Sequence, residues 1–187
     1  MINSFFNLIL ALLIFLILTP IMVLIISLIF LVDREYPLYF SRRIGKDKKS
    51  FLMPKFRTMK STTPQEATHL LEDPEQYLLS TGLFLRKYSL DELPQIISVI
   101  LGDMVFVGPR PALYNQHDLI ALREDKNINH LKPGITGWAQ VNGRDELSIE
   151  EKVRYDEEYL AKASLGFDIF IIWLTLVKVL KKEGVSH

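Results

Sequence analysis

Two adjacent carboxylates, Asp91 and Glu92, stand in Ser89-Leu90-Asp91-Glu92-Leu93-Pro94, shortly after the cations Arg86 and Lys87. Ser-x-x-Glu is a capping box and acidic residues favour the positive end of a helix, so a plain helix start satisfies the pattern. Pro94 moves that start. With Ser89 as the cap, Pro94 would fall beyond the first turn, where its missing N–H is needed. The hydrogen-bonded helix should therefore begin at about Asp91 or later, with both carboxylates at its mouth. Downstream, Gly108-Pro109-Arg110-Pro111 fixes an arginine between two prolines. A guanidinium is a planar fork of donors that suits phosphate, and a stiff backbone lowers the entropy cost of presenting it. In Lys55-Phe56-Arg57 the alternation of a strand would point both cations to one face. The glycine turns Pro133-Gly134-Ile135-Thr136-Gly137 and Asn142-Gly143-Arg144 flank Trp138-Ala139-Gln140-Val141 and could offer backbone N–H groups to an anion. Each of these also reads as an ordinary turn or a solvated cation.

A very different segment precedes them. No charged side chain occurs in the first 32 residues, and all 22 Lys and Arg and all 22 Asp and Glu lie from Asp33 onward. The apolar run Phe5–Val32 would measure about 42 Å as a straight helix, longer than the ~30 Å hydrocarbon core of a bilayer. Nothing basic precedes the run and no small-residue cleavage site follows it, which argues against a removed signal peptide. Arg34, Arg42, Arg43, Lys46, Lys48 and Lys49 crowd behind it, so the soluble part should face the cytosol. Thr19-Pro20 lies near the middle of the run. Proline removes an N–H and clashes with the preceding turn, while the threonine hydroxyl can bond back to a carbonyl and soften the break. A straight span and a bent helix that returns to the face it came from both fit.

About 155 residues remain, the usual size of one domain. The absence of cysteine excludes disulfides and cysteine-ligated metal. Tyr36–Phe40 and Ser50–Phe56 read as strands around Gly45-Lys46-Asp47, and Ser61–Glu75 as a mobile loop. Gln76–Lys87 and Leu93–Leu101 look helical, Met104–Val107 is a short strand, and Lys132–Arg144 turns repeatedly. Ser148-Ile149-Glu150-Glu151 is a capping box opening a helix to about Ala163. Phe167–Lys182 is a last helix, too short to span, and reads either as a buried core helix or as an interfacial one with Trp173 at headgroup depth. The fold class is α+β and helix-dominated. Residues 1–32 form a membrane helix broken at Thr19-Pro20, and residues 33–187 a domain with a short sheet and interfacial amphipathic helices.

Ser-Leu-Asp-Glu-Leu-Pro-Gln at 89–95, Gly-Asp-Met-Val-Phe-Val-Gly-Pro-Arg-Pro at 102–111 and Lys-Pro-Gly-Ile-Thr-Gly-Trp-Ala-Gln-Val-Asn-Gly-Arg at 132–144 resemble the bacterial sugar transferases, the monotopic phosphoglycosyl transferases. Arg42-Arg43-Ile44-Gly45, Lys55-Phe56-Arg57-Thr58-Met59 and the ending Lys178–Ser186 fit the same pattern. The likeness runs from the apolar segment to the C-terminus, and is to the small type that is a minimal catalytic unit.

That resemblance implies an enzyme of the bacterial cytoplasmic membrane with its catalytic domain on the cytosolic face. It would move a phosphosugar from a UDP-sugar to polyprenyl (undecaprenyl) phosphate, giving a polyprenyl diphosphosugar and UMP, the first membrane step of glycoconjugate or polysaccharide assembly. Asp91 would be the nucleophile and carry a covalent phosphosugar, with Glu92 sharing a magnesium (Mg2+) site and the charge balance of the pair. A carboxylate nucleophile splits one hard displacement into two easier ones, and oxygen ligands suit magnesium. Arg86 and Arg110 would clamp phosphate, with Lys55 and Arg57 beside them. Asp156 matches a family aspartate near the site, and Arg144 a residue near the nucleotide-sugar end. The implied partners are UDP-sugar, polyprenyl phosphate and membrane lipid, with no nucleic acid. The family's re-entrant helix usually breaks at Ser-Pro, and Thr19-Pro20 keeps the hydroxyl. A membrane-anchored scaffold without turnover and a membrane phosphohydrolase are the alternatives. The intact Asp91-Glu92 pair argues against the first, and dependence on polyprenyl phosphate separates the second.

Overall fold

The computed structural model describes residues 4–64, 73–143 and 146–181. Residues 65–72 of the loop read at Ser61–Glu75 lie outside the described residues, as do Arg144 and the chain from Lys182 onward.

The apolar run folds as α1 (Ser4–Leu28), followed by one π-helical turn at Ile29–Asp33 and by Arg34 at φ 55°, which turns the chain away. The helical backbone continues through Thr19-Pro20, where the sequence suggested a break. Proline withholds a single N–H, and Thr19 Oγ1 donates to Phe15 O at 2.7 Å beside the gap. Unwinding further would strand more backbone groups among apolar neighbours, so the helix persists.

β1 (Leu38–Ile44) and β2 (Ser50–Phe56) form an antiparallel hairpin with Leu38 opposite Phe56 and Ile44 opposite Ser50. β3 (Val105–Val107) starts a second sheet, β4 (Ala112–Leu113) joins the other edge of β1, and β5 (Gly134–Thr136) pairs in parallel with β3. The first strand begins later than Tyr36 and runs on to Ile44, since Pro37 has no N–H for a ladder. Its carbonyl accepts from Arg57 N at 2.8 Å instead.

The helix expected over Gln76–Lys87 is shorter. Leu78 bridges to Met59 and Leu79 N donates to Thr58 O at 3.0 Å, so this stretch pairs with the chain after β2 and α2 (Gly82–Lys87) begins behind it. Pro94 acts similarly: Leu90–Gln95 is a 3-10 turn, and α3 (Ile96–Ile100) follows it. α4 (His117–Asp125) and α5 (Trp138–Val141) have no counterpart in the sequence reading. α6 (Ile149–Lys162) opens on the expected capping box, with Ser148 and Glu151 bonded in both directions, and α7 (Leu165–Lys181) comes last. The protein is α+β and dominated by helices.

α1 belongs to the core of the domain that follows it. Ala11 packs with Met53, Ile96, Val99 and Met104, while Met22, Ile25 and Ile29 pack with Phe56, Leu79 and Leu85. These contacts lie on both sides of Pro20. The outer face of α1 and of the turn after it is bare, with Leu16 and Leu31 each 72% exposed, and residues 7–33 are long and apolar enough to cross a bilayer. α7 has one face in the core and one bare apolar face. Ile171 and Asp168 are buried against the core, whereas Leu165, Ile169, Trp173 and Leu176 stand exposed.

Gly82 lets α2 lie close to the chain after β2, because a Cβ there would sit 2.2 Å from Thr58 O. Gly82→Ala is expected to destabilise the protein by about 1–3 kcal/mol, although alanine is the better helix former. An unchanged thermal midpoint of the detergent-solubilised variant would show that the approach is not constrained.

Candidate active site

Asp91 and Glu92 lie in the 3-10 turn that Pro94 imposes. Ser89, before it, takes a left-handed backbone at φ 52° and makes no side-chain cap bond, so the stretch is not used as a capping box. A non-glycine residue in that region costs roughly 1–2 kcal/mol, and the turn it creates directs both carboxylates inward. α3 has only five residues, so the helix end adds less field than a long helix would.

Charged groups from remote segments meet the pair. Lys55 Nζ, from the end of β2, donates to Glu92 Oε1 at 2.9 Å and stands 3.8 Å from Asp91 Oδ2. Arg110 Nη2 donates to the same Glu92 oxygen at 3.1 Å. Arg86, on α2, donates through Nε to Thr58 Oγ1 at 3.0 Å. Burial pulls the Arg86 guanidinium pKa down, and the Asp91 carboxylate acts against that. Asp91 and Glu92 are each 13% exposed at the side chain, so the ion pairs are weakly screened. Cations outnumber carboxylates here, and the surplus suits an anionic ligand.

Other expected residues stand elsewhere. Arg57 donates from Nε to Tyr36 O at 2.8 Å and from Nη2 to Leu38 O at 3.4 Å, bracing the start of β1. Strand alternation does not carry it to the carboxylates, because β2 ends at Phe56. Asp156, on α6, is 1% exposed and lies behind the site. Its Oδ2 accepts from Arg123 Nε at 2.9 Å and Nη2 at 2.6 Å, while Arg123 Nη1 donates to Arg110 O at 2.9 Å. Burial pushes the Asp156 carboxyl pKa up, and Arg123 opposes the shift. Asp156 thus acts on the site through Arg123, which grips the backbone of the phosphate-clamp candidate Arg110. Tyr159 ties α6 to α7 by donating to Asp168 Oδ1 at 2.8 Å. Burial and that carboxylate push the phenol pKa up. Arg144 lies outside the described residues.

Residues 1–182 match the family model of the bacterial sugar transferases. The chain belongs to that family. It is 41% identical over 152 residues to the uncharacterized sugar transferase EpsL of Bacillus subtilis (strain 168), which covers 81% of this chain and 74% of that one. Over 160 residues it is 42% identical to the UDP-glucose:undecaprenyl-phosphate glucose-1-phosphate transferase of Xanthomonas campestris pv. campestris, covering 79% of this chain and 32% of the relative. A protein of the same name from Escherichia coli (strain K12) is 37% identical over 179 residues, covering 92% of this chain and 39% of its own. This bacterial sugar transferase thus spans about a third of the length of those two relatives.

Within this sugar transferase, Asp91 and Glu92 are the hard oxygen donors nearest the cations. Among the described residues no cluster of three acidic, histidine or cysteine side chains could hold a metal by itself. Two carboxylates are a hard oxygen donor pair that would fit magnesium if a ligand's oxygens and water completed the set, since that ion seldom takes an all-protein cage. Arg123 is the residue that the sequence hid. It stands in Leu122-Arg123-Glu124-Asp125 and reads as a solvated helix cation, and only the fold brings it to Asp156.

Asp156→Asn would leave Arg123 charged and buried beside a weaker partner. Breaking a buried pair from one side typically costs about 3–5 kcal/mol, and the neutral amide should cost a large part of that in thermal or denaturant unfolding. Replacing both members, as in Arg123→Met with Asp156→Leu, should recover most of the loss. A double variant as unstable as the sum of the singles would mean that the two do not act as a pair.

Proposed function

We propose that this protein is a phosphoglycosyl transferase of a bacterial cytoplasmic membrane. It moves a phosphosugar from a UDP-sugar to polyprenyl (undecaprenyl) phosphate, yielding a polyprenyl diphosphosugar and UMP for glycoconjugate or polysaccharide assembly. The reading is carried by the Asp91-Glu92 pair held among Lys55, Arg110 and Arg86, in a domain with bare apolar faces on α1 and α7. The relatives from Xanthomonas campestris and Escherichia coli bear the name of such an activity, with UDP-glucose and undecaprenyl phosphate.

An Asp91 carboxylate oxygen attacks the sugar-bearing phosphorus. One P–O bond forms, the diphosphate P–O bond breaks, and UMP leaves with that electron pair. A phosphate oxygen of the acceptor then attacks the same phosphorus, the bond to Asp91 breaks, and the carboxylate is restored. Arg110 and Arg86 bind phosphate oxygens, and Lys55 neutralises Glu92 so that the second carboxylate does not repel the diphosphate. When bound by Asp91 and Glu92 oxygens, magnesium supplies further positive charge to the diphosphate.

The contacts of α1 support a monotopic placement. Phe106 N–H makes a long hydrogen bond of 3.5 Å to Asn7 Oδ1, and Ala11 is buried in the domain. Beyond Pro20, Met22, Ile25 and Ile29 are buried in it too. A straight span would carry its far half away from a cytosolic domain. Both ends of α1 therefore belong to the cytosolic face, the side that the cations from Arg34 to Lys49 favour.

Incubation with UDP-sugars and magnesium, without acceptor, should give a phosphosugar adduct in the intact mass with one donor. Asp91→Asn should abolish the adduct and lower turnover by on the order of a thousand-fold or more. UMP release that needs polyprenyl phosphate but leaves no adduct would sink the covalent role of Asp91. Sustained UMP release without acceptor would favour a phosphohydrolase. Because the chain has no cysteine, a Ser4→Cys variant at the start of α1 reports topology cleanly. An impermeant maleimide should label it in inverted vesicles and not from outside intact cells, and the reverse pattern would establish a span.

A further inference from the structure

A cavity of about 320 Å³ opens beside Glu92 and Arg110 and is walled by helices whose outer faces are apolar and bare. Ile14 and Leu18 of α1 form one side, and Thr175, Lys178 and Val179 of α7 form another. Leu93, Ile96 and Phe106 make the floor apolar. Thr175 Oγ1 lies 2.7 Å from Thr136 Oγ1, which pins α7 to β5 and fixes the width between the walls.

The lining is mostly apolar, and its neutral polar side chains, among them Ser89, Thr136, Gln140 and Thr175, are few for a nucleotide sugar, whose hydroxyls and base need hydrogen-bonding partners. It does suit hydrocarbon. Yet two lysines, Lys87 and Lys178, also line it, and neither makes an ion pair among the described residues. Lys178 is half-buried on an otherwise apolar stretch of α7, where a cation without a counter-charge is costly. A mostly apolar cavity with these two cations, ending at Glu92 and Arg110, fits one kind of molecule: an anionic phosphate on a long apolar chain.

We propose that this cavity receives the phosphate end of the polyprenyl acceptor, admitted from the bilayer between α1 and α7, with Lys178 and Lys87 meeting its phosphate. The inference rests on the transferase reading above and adds where the second substrate lies. The volume takes the head and the first isoprene units, and the rest of the chain stays in lipid. The acceptor phosphate then stands on the Glu92 and Arg110 side of the cavity, next to Asp91. UDP-sugar reaches the same carboxylates from the polar side, so the two substrates need not share a path.

The full-length protein in phosphatidylcholine nanodiscs, with polyprenyl phosphate at graded mole fraction, provides the test. Ile14→Trp, Val179→Trp and Lys178→Ala should each raise the KM for polyprenyl phosphate about tenfold, the equivalent of one charge-assisted contact. The KM for UDP-sugar should stay within about twofold. Equal shifts in both constants, or no shift in any variant, would overturn the assignment while wild-type turnover keeps the transferase reading intact. Lack of turnover by the wild type with every UDP-sugar would sink that reading instead. A second arm needs neither variants nor turnover. A diazirine-bearing prenyl phosphate should label wild-type peptides containing residues 14–18 and 175–179, and unlabelled polyprenyl phosphate should compete. Labelling elsewhere, or equal competition by phosphatidylglycerol, would overturn the proposal, the latter assigning the site to membrane phospholipid at large.

Discussion

Glu92 Oε1 accepts from Lys55 Nζ at 2.9 Å and from Arg110 Nη2 at 3.1 Å, so one carboxylate oxygen joins β2, the turn after Ser89 and the stretch after β3. These segments are remote in the chain and each brings a charge that would be costly alone in a half-buried site. Together they satisfy one another. The arrangement also sets Asp91 at a longer reach from the shared lysine, 3.8 Å from Lys55 Nζ. Glu92 takes the shorter bond from Lys55, and Asp91 is the member of the pair that this lysine holds more loosely.

Behind this front lies a second buried pair that fixes the backbone. Arg123 uses its fork on Asp156 and its remaining nitrogen on Arg110 O, between two prolines. Proline already restricts that stretch, and the extra bond to its carbonyl sets its position relative to α4 and α6. Arg110 is therefore presented by covalent stiffness on its flanks and by a buried ion pair at its rear.

The sequence made the site visible where chemistry and local backbone coincide. Arg110 is flanked by prolines and Pro94 sets the turn that holds Asp91 and Glu92, while Ser148 announces α6 by a pattern of four residues. Contacts set by the tertiary fold were not legible. Leu78 and Leu79 are drawn from a helical pattern into pairing with Met59 and Thr58. Arg57 shares the alternation of Lys55, yet it is captured by the carbonyls of Tyr36 and Leu38. Asp156 is expected near the site, but nothing in Leu122-Arg123-Glu124-Asp125 reveals that the Arg123 guanidinium lies between Asp156 and Arg110. The short β5 was hidden in a glycine-rich turn region, since parallel pairing with β3 depends on neighbours far away in sequence.

The apolar contacts of α1 bear on how such a chain must be made. Ala11, Met22, Ile25 and Ile29 complete two clusters whose other members, among them Phe56, Leu85, Ile96 and Met104, belong to the domain translated afterwards. A polypeptide lacking the first helix would present those side chains to water as an open seam. The domain therefore does not complete its core without that helix. Its folding waits on a helix that precedes it in the chain and whose other face is apolar and bare, so covering that face and closing the core are coupled.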